Sequence, residues 1–300
     1  MLYTVWDVEK WGDDLYKLHK DAFDSRQTMQ GSAFEFHHYL DPEPPEVPFH
    51  AHPFYEVYFF LSGVGTYCIE GRVYQMRPGD ILLTGNRDIH RPNMLPGKPY
   101  ERYVLWLTED FLTQLRRHGE DLGTCFHDAA KKGYHLIRPD VPMFAQLKSQ
   151  CALMAAIKDD HSFGSGNLFY ANLITFLVYL NRAYADTAFS VREDIQQNKT
   201  INRLLAYINN HLTEPLSLDG LSSEFYLSKF YLNNKFKRYT GLTLYQYIIK
   251  KRLTVARNLL RTGTPVMNAY IACGFSDYSN FLKAFKREFG CTPRDYSPTA

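Results

Sequence analysis

Ile271-Ala272-Cys273-Gly274-Phe275-Ser276-Asp277-Tyr278-Ser279-Asn280-Phe281-Leu282-Lys283-Ala284-Phe285-Lys286-Arg287-Glu288-Phe289-Gly290 reads as two short helices joined by a turn at Gly274. Asp277 stands where the second helix needs an N-cap, and Gly290 where it needs a left-handed terminator. Phe281, Phe285 and Phe289 recur at four-residue spacing and mark a buried face. Ser279, Asn280, Lys283 and Arg287 fall on the opposite face, short polar and basic groups suited to base edges and phosphates. Two helices joined at a glycine turn, the second polar and basic outward, are what a DNA-reading helix-turn-helix requires.

One such unit reads equally well as an amphipathic helical hairpin with a solvated face. A second copy breaks the tie. A shift of 49 residues pairs Phe236 with Phe285, Lys237 with Lys286, Arg238 with Arg287, Gly241 with Gly290, Thr243 with Thr292 and Tyr247 with Tyr296. The earlier copy has a first helix at 218–221, a turn near Tyr226 and a second helix over 228–239 with Ser228 as its N-cap. Residues 244–260 keep a helical period between the copies and would separate them rigidly.

On these residues the last third of the chain, 200–297, resembles the AraC/XylS-type DNA-binding domain, two helix-turn-helix units joined by a long helix. Gly274-Phe275, Phe281, Phe285-Lys286, Phe289-Gly290 and Pro293-Arg294-Asp295-Tyr296 stand in the family's order. Ser297 departs from it, where the family carries an arginine that the resemblance links to a phosphate.

In the first unit Leu232 and Phe236 point inward, leaving Phe230, Asn233, Asn234 and Lys237 outward. Asparagine bonds adenine bidentately, and an exposed phenylalanine packs on a thymine methyl. In the second unit Tyr278, Ser279, Asn280 and Lys283 match the base-facing positions of the resemblance. Ser228, Lys235, Lys237, Arg238, Lys286 and Arg287 are assigned to phosphates, which fix register without choosing sequence. With a rigid connecting helix the two reading helices would enter successive major grooves about 34–36 Å apart.

Charge separates along the chain in the same sense. From Ile195 onward there are 15 lysines and arginines against 6 aspartates and glutamates, a net +9. The preceding 194 residues carry 19 against 26, a net −7. A basic tail beside an acidic remainder suits a nucleic-acid partner and makes its affinity salt-dependent. The five cysteines show no paired spacing, so neither a disulfide framework nor a CxxC metal site is expected, and a reducing cytoplasm fits. The acidic N-terminus is unlike a signal peptide. The most apolar run, 168–180, contains Asn172 and is too short to span a bilayer, so no membrane is expected.

Ahead of the basic tail the pattern is β-rich. Stretches 34–39, 55–61, 65–69, 81–84 and 102–107 are short, aromatic and β-branched, with breakers such as Pro44-Pro45, Ser62-Gly63 and Pro78-Gly79 between them. They predict an all-β sandwich or barrel. Within it lies His50-Ala51-His52-Pro53-Phe54-Tyr55-Glu56. On a strand, positions 50, 52 and 56 share parity and face one side. Roughly residues 45–95 resemble the cupin jelly roll, whose first motif is HxHxxxE followed by glycine, here Gly63. Counted from Gly79, His90 falls at the histidine of the second motif, while Gly85, Arg87 and Met94 depart from that motif.

Two readings of this cluster stay open. His50, His52, Glu56 and His90 form a three-histidine, one-carboxylate set for a divalent metal, Zn, Mn, Fe, Ni or Cu. Alternatively, the same groups with Tyr58 line a pocket for a small polar effector, or merely cap the barrel mouth. Phe60, Tyr67, Tyr103 and Trp106 are further candidate lining residues.

The expected organisation is an arm over 1–30, including a short helix at 13–23, a cupin-like barrel over 31–110, a helical hairpin over 111–185, a linker over 186–199 and the all-α DNA-binding domain over 200–300. The hairpin rests on Phe144, Leu147, Cys151 and Met154 in one helix and Leu173, Phe176, Leu177, Leu180 and Tyr184 in the next. Ile174 and Val178 make the second helix apolar on another side, and AraC-type proteins, as the resemblance implies, dimerise through such helices. The function expected is a sequence-specific transcriptional regulator, not an enzyme, responding to a small effector with a sugar preferred. Its partners are double-stranded DNA, a second copy of itself and RNA polymerase. The competing reading is a cupin metalloenzyme, isomerase or dioxygenase, fused to a DNA-binding tail.

Overall fold

The computed structural model describes residues 29, 31, 33–116, 119–187 and 199–296. The helix expected at 13–23, most of the expected linker and Ser297 lie outside these. Seven strands come first: β1 (Phe34–Asp41), β2 (Tyr55–Ser62), β3 (Gly65–Ile69), β4 (Arg72–Gln75), β5 (Ile81–Thr84), β6 (His90–Met94) and β7 (Tyr100–Leu107). Helices α1 (Glu109–Arg116) and α2 (Thr124–Lys132) follow, then the two-residue strand β8 (Leu136–Ile137) and the long helices α3 (Val141–Ile157) and α4 (Ser165–Thr187).

The strands form two antiparallel sheets, β1-β7-β2-β5-β8 and β4-β3-β6. Tyr58, Phe60, Tyr67, Tyr74, Leu82, Tyr100 and Trp106 fill the space between them. The opposite face of the five-stranded sheet carries Phe36, Val57, Phe59, Leu83 and Leu105, and α1–α4 cover it with Phe111, Phe126, Leu147, Cys151 and Phe176. β2 is therefore buried on both faces, which is why its sequence is a continuous apolar run rather than an alternation.

Several elements depart from expectation. β4 and β6 were not anticipated, being short and polar, with Arg72, Gln75, Arg91 and Asn93. α2 and β8 turn the expected plain hairpin of 111–185 into two helices, an edge strand and then the α3–α4 hairpin. Residues 50–54 are not a strand, so the parity argument for His50 and His52 does not hold. An isolated bridge does that work: His50 N–H donates to His90 O at 3.1 Å, and His90 N–H to His50 O at 2.9 Å.

Six helices complete the chain: α5 (Lys199–Asn210), α6 (Leu218–Glu224), α7 (Lys229–Thr240), α8 (Leu244–Arg261), α9 (Val266–Ala272) and α10 (Tyr278–Phe289). Their ends follow local chemistry. Ser228 Oγ accepts the Tyr231 N–H, and Asp277 Oδ1 accepts the Asn280 N–H. Thr243 and Gln246 form a reciprocal capping box on α8. Gly274 joins α9 to α10 at φ 84°, and a Cβ there would lie 2.7 Å from Leu212 O, so only glycine fits.

α8 belongs to two cores. Leu244, Tyr247 and Ile248 pack with Ile201, Leu205, Leu221, Leu232 and Phe236. Leu253, Ala256 and Leu260 pack with Ala269, Cys273, Phe281 and Phe285. Phe49, Cys68 and Ile89 of the barrel join the first of these cores, so barrel and first helix-turn-helix unit share apolar packing. Among the described residues no helix is long and apolar enough to cross a membrane.

Candidate DNA-reading surface and histidine site

On α7 the outward residues are as expected: Phe230 is 80% exposed, and Asn234, Lys237 and Arg238 are exposed. Lys229 pairs with Asp219 of α6. Lys235 is half-buried, its Nζ donating to the Tyr231 hydroxyl at 3.1 Å. Ser228 is committed to its capping bond. Asn233 sits differently from expectation: it is half-buried, and its Oδ1 accepts the Leu244 N–H at 3.1 Å, tying α7 to the start of α8. That bond occupies the acceptor a bidentate adenine contact needs. Tyr231, 48% exposed beside these residues, was not singled out, because an aromatic next to Leu232 reads as core.

On α10 Ser279, Asn280, Lys283, Lys286 and Arg287 are exposed. Tyr278 is half-buried, its ring 5.3 Å from that of Tyr270 and edge-on to it. A surface depression of about 550 Å³ runs beside them, lined by Tyr278, Lys283, Lys286 and Arg294 among others.

Inside the barrel the four expected ligands converge. Strand register sets Glu56 on β2 opposite Trp106 on β7, while Ile69 of β3 stands opposite His90. The Trp106 indole N–H donates to Glu56 Oε2 at 2.8 Å, and the Tyr67 hydroxyl to Oε1 at 3.0 Å. Glu56 Oε2 lies 3.4 Å from His52 Nε2, and Oε1 3.9 Å from His90 Nε2. One ring nitrogen of each of His50, His52 and His90 lies within 4.8 Å of the others.

Each imidazole is oriented from behind. His50 Nδ1 is 2.9 Å from Pro48 O, His52 Nδ1 2.9 Å from Phe54 O, and His90 Nδ1 2.9 Å from Asp88 O. Carbonyls only accept, so this network assigns the ring proton to Nδ1 and leaves a lone pair on each Nε2. All three Nε2 atoms are buried and have no hydrogen-bond partner among the described residues. Burial, then the neighbouring His90 and His52, holds His50 well below the usual imidazole range. Burial, then His52, pushes His90 down to about 4. For Glu56 burial favours the neutral acid, but the adjoining His52 and the imidazoles of His90 and His50 outweigh it and hold the carboxyl well below its usual range.

The Tyr58 hydroxyl is hydrogen-bonded to that of another tyrosine, Tyr100. The two tyrosines line a cavity of only about 20 Å³ together with Glu56, Tyr67, Arg102 and Trp106. Tyr103 points to the other face of the sheet, stacked on Phe36, and is not a lining residue. Arg102, buried under the rings of Tyr39 and Tyr100, was missed because an arginine inside a barrel strand reads as solvent-facing.

Comparison with known proteins agrees with both halves. Residues 36–165 match the AraC-like ligand binding domain, and residues 221–298 a helix-turn-helix domain. The HTH-type transcriptional activator RhaS of Enterobacter sp. (strain 638) is 26% identical over 260 residues, spanning 85% of this chain and 90% of that protein. RhaS of Escherichia coli O6:H1 is 25% identical over 269 residues with the same coverage. The solved DNA-binding domain of AdpA in complex with a target DNA is 26% identical, covering 33% of this chain and 90% of that one with a TM-score of 0.32. The chain belongs to the AraC-type family of DNA-binding transcriptional regulators, with an N-terminal ligand-binding domain and a C-terminal helix-turn-helix domain.

Proposed function

We propose that this regulator reads promoter DNA through α7 and α10, and that the ligand of its barrel is a divalent transition-metal ion held by His50, His52, His90 and Glu56. The observation behind the metal is the set of three buried Nε2 atoms without partners, each aimed by a backbone carbonyl on the far side of its ring. Buried polar atoms are almost always bonded, and a metal-ligating histidine characteristically donates its other ring N–H to a carbonyl or carboxylate. A nitrogen-rich set with one carboxylate suits Zn, Mn, Fe, Ni or Cu. An ion bound there would be held by the 50–52 segment, β2 and β6 together and would supply a positive charge that ties the three. Tyr67 and Trp106 orient the Glu56 carboxylate that would face it.

A sugar, the effector preferred from sequence, would need more room than the described cavity beside Glu56. Small-molecule pockets run to about 300–1,000 Å³, and the enclosed space beside Glu56 is about 20 Å³. A homodimer through the α3–α4 hairpin is supported by Leu153, Phe163 and Leu168, all exposed near its tip. A cytoplasmic setting is supported by five free cysteines.

Elemental analysis and calorimetric titration of the full-length protein with Zn²⁺, Mn²⁺, Fe²⁺, Ni²⁺ and Cu²⁺ test the metal. We expect one equivalent of one metal, lost in His52→Ala and His90→Ala variants that keep their far-ultraviolet circular dichroism. Full-length protein that takes up none of them, or variants that bind as well as the parent, would overturn the metal assignment.

A further inference from the structure

The turn between β3 and β4 carries the clearest unexplained strain. Glu70 and Gly71 are both left-handed, at φ 49° and 74°. A two-residue hairpin turn of this kind favours Asn-Gly or Asp-Gly, and glutamate contributes nothing to it locally. Among the described residues only Glu70 and Tyr226 are non-glycine residues at positive φ. Strain of this sort persists where surrounding contacts over-determine it, and it gathers at switch regions.

Most of those contacts come from the DNA-binding domain. Glu70 Oε1 accepts from Lys251 Nζ at 3.0 Å and from the Ile89 N–H at 2.6 Å. Oε2 accepts from the Tyr247 hydroxyl at 2.7 Å and from Asn209 Nδ2 at 3.3 Å. Tyr247 and Lys251 lie on α8 and are buried, and Lys251 also donates to Arg87 O at 3.2 Å. A Cβ on Gly71 would lie 2.6 Å from Leu205 of α5 and 3.0 Å from Thr240 at the end of α7. A Cβ on Gly241 would lie 2.6 Å from the Phe49 ring. Arg257 donates to Ala51 O at 2.8 Å and Arg261 to Pro53 O at 3.2 Å, on either side of His52.

Beside this fastening lies a cleft of about 730 Å³ with Thr66, Arg91 and Asn93 of the barrel on one wall and Phe230, Asn234 and Arg238 of α7 on the other. A helix seated in a major groove, ~12 Å wide and ~8.5 Å deep, has a phosphate backbone along each flank. Thr66, Arg91 and Asn93 share that cleft with the residues of α7 that would lie against such DNA. A cleft of this size holds no duplex.

We propose that the β3–β4 hairpin is an autoinhibitory latch: Glu70 fastens the barrel onto α7 and α8, and specific DNA binding requires that fastening to open. The latch rests on the reading of α7 as a DNA-reading helix. It is a two-state element, and anything that favours the released barrel raises DNA affinity by the differential free energy it brings.

The test uses the full-length protein and a duplex selected by it from a randomised pool, with scrambled duplex as competitor. Glu70→Gln removes the charge, and Tyr247→Phe removes one donor while keeping the ring packed on Phe236. We expect each to bind the selected duplex about tenfold tighter than the parent, with faster hydrogen exchange at residues 70–71 and 240–241. Should Glu70→Gln fail to fold, Tyr247→Phe alone carries the comparison. Affinity equal to or weaker than the parent's in the folded variants overturns the latch while leaving the DNA reading intact. A parent with no preference for any selected duplex overturns the DNA reading, and the latch with it.

Discussion

Asn233 turns its side chain back to the next helix, where Oδ1 accepts the Leu244 N–H, while its neighbour Asn234 lies exposed on the outer face of α7. The two asparagines therefore fail differently when truncated. Asn233→Ala should lower stability by about 1 kcal/mol, the worth of one lost hydrogen bond, and weaken selected and scrambled DNA alike. Asn234→Ala and Asn280→Ala should leave stability unchanged and lose about 1–3 kcal/mol on the selected duplex only. Chemical denaturation and fluorescence anisotropy on both duplexes separate the two patterns. Spacing along a helix assigned both asparagines to one face, because the bond that claims Asn233 comes from the following helix and depends on how α7 and α8 fold together. The histidine site shows the reverse. Its four residues were legible from motif spacing, but the strand assumed beneath them is absent, and the long-range bridge between His50 and His90 gathers the rings instead.

Elements whose ends are set locally were the easiest to read. Ser228, Thr243 and Asp277 each accept a backbone N–H within their own first turn, so the helix starts of the tail follow from short-range chemistry. The apolar spacing did the rest: Leu232, Phe236, Phe281 and Phe285 are all fully buried. β4 and β6 escaped because four or five residues with polar alternates give no periodicity above background, and they become strands only by pairing with β3. β8 is two residues added to the edge of a finished sheet, a tertiary event with no local signal. Because α8 enters two separate cores, damage to either unit should be felt through it. Phe236→Ala and Phe285→Ala should each cost about 3–5 kcal/mol. Thermal denaturation is expected to show a lowered midpoint in both. A variant of unchanged midpoint would mean that its unit is not packed against α8 as described.

Across the whole molecule, an acidic front and a basic tail meet at an interface that mixes apolar packing with buried charge. Phe49 and Ile89 join the core of the first helix-turn-helix unit, and Glu70 meets Lys251 beside them. The charge split was visible in the sequence and pointed correctly to a basic DNA-binding half. The interface was not, since Glu70, Lys251 and Arg257 look like surface residues until two distant segments come together. Nor was the narrowness of the described cavity beside Glu56, which depends on how Tyr58, Tyr100 and Arg102 pack across two sheets. The central claim is that two unlike helices, α7 and α10, read one asymmetric duplex under the control of the barrel. Its most direct test is equilibrium competition of the full-length protein between a selected duplex and scrambled sequence, with and without the paired Asn234→Ala and Asn280→Ala substitutions. We predict a preference of roughly 10³ or more for the selected duplex, weakening as salt rises and collapsing in the paired variant. Equal affinity for both duplexes, or a preference that survives both substitutions, would contradict it.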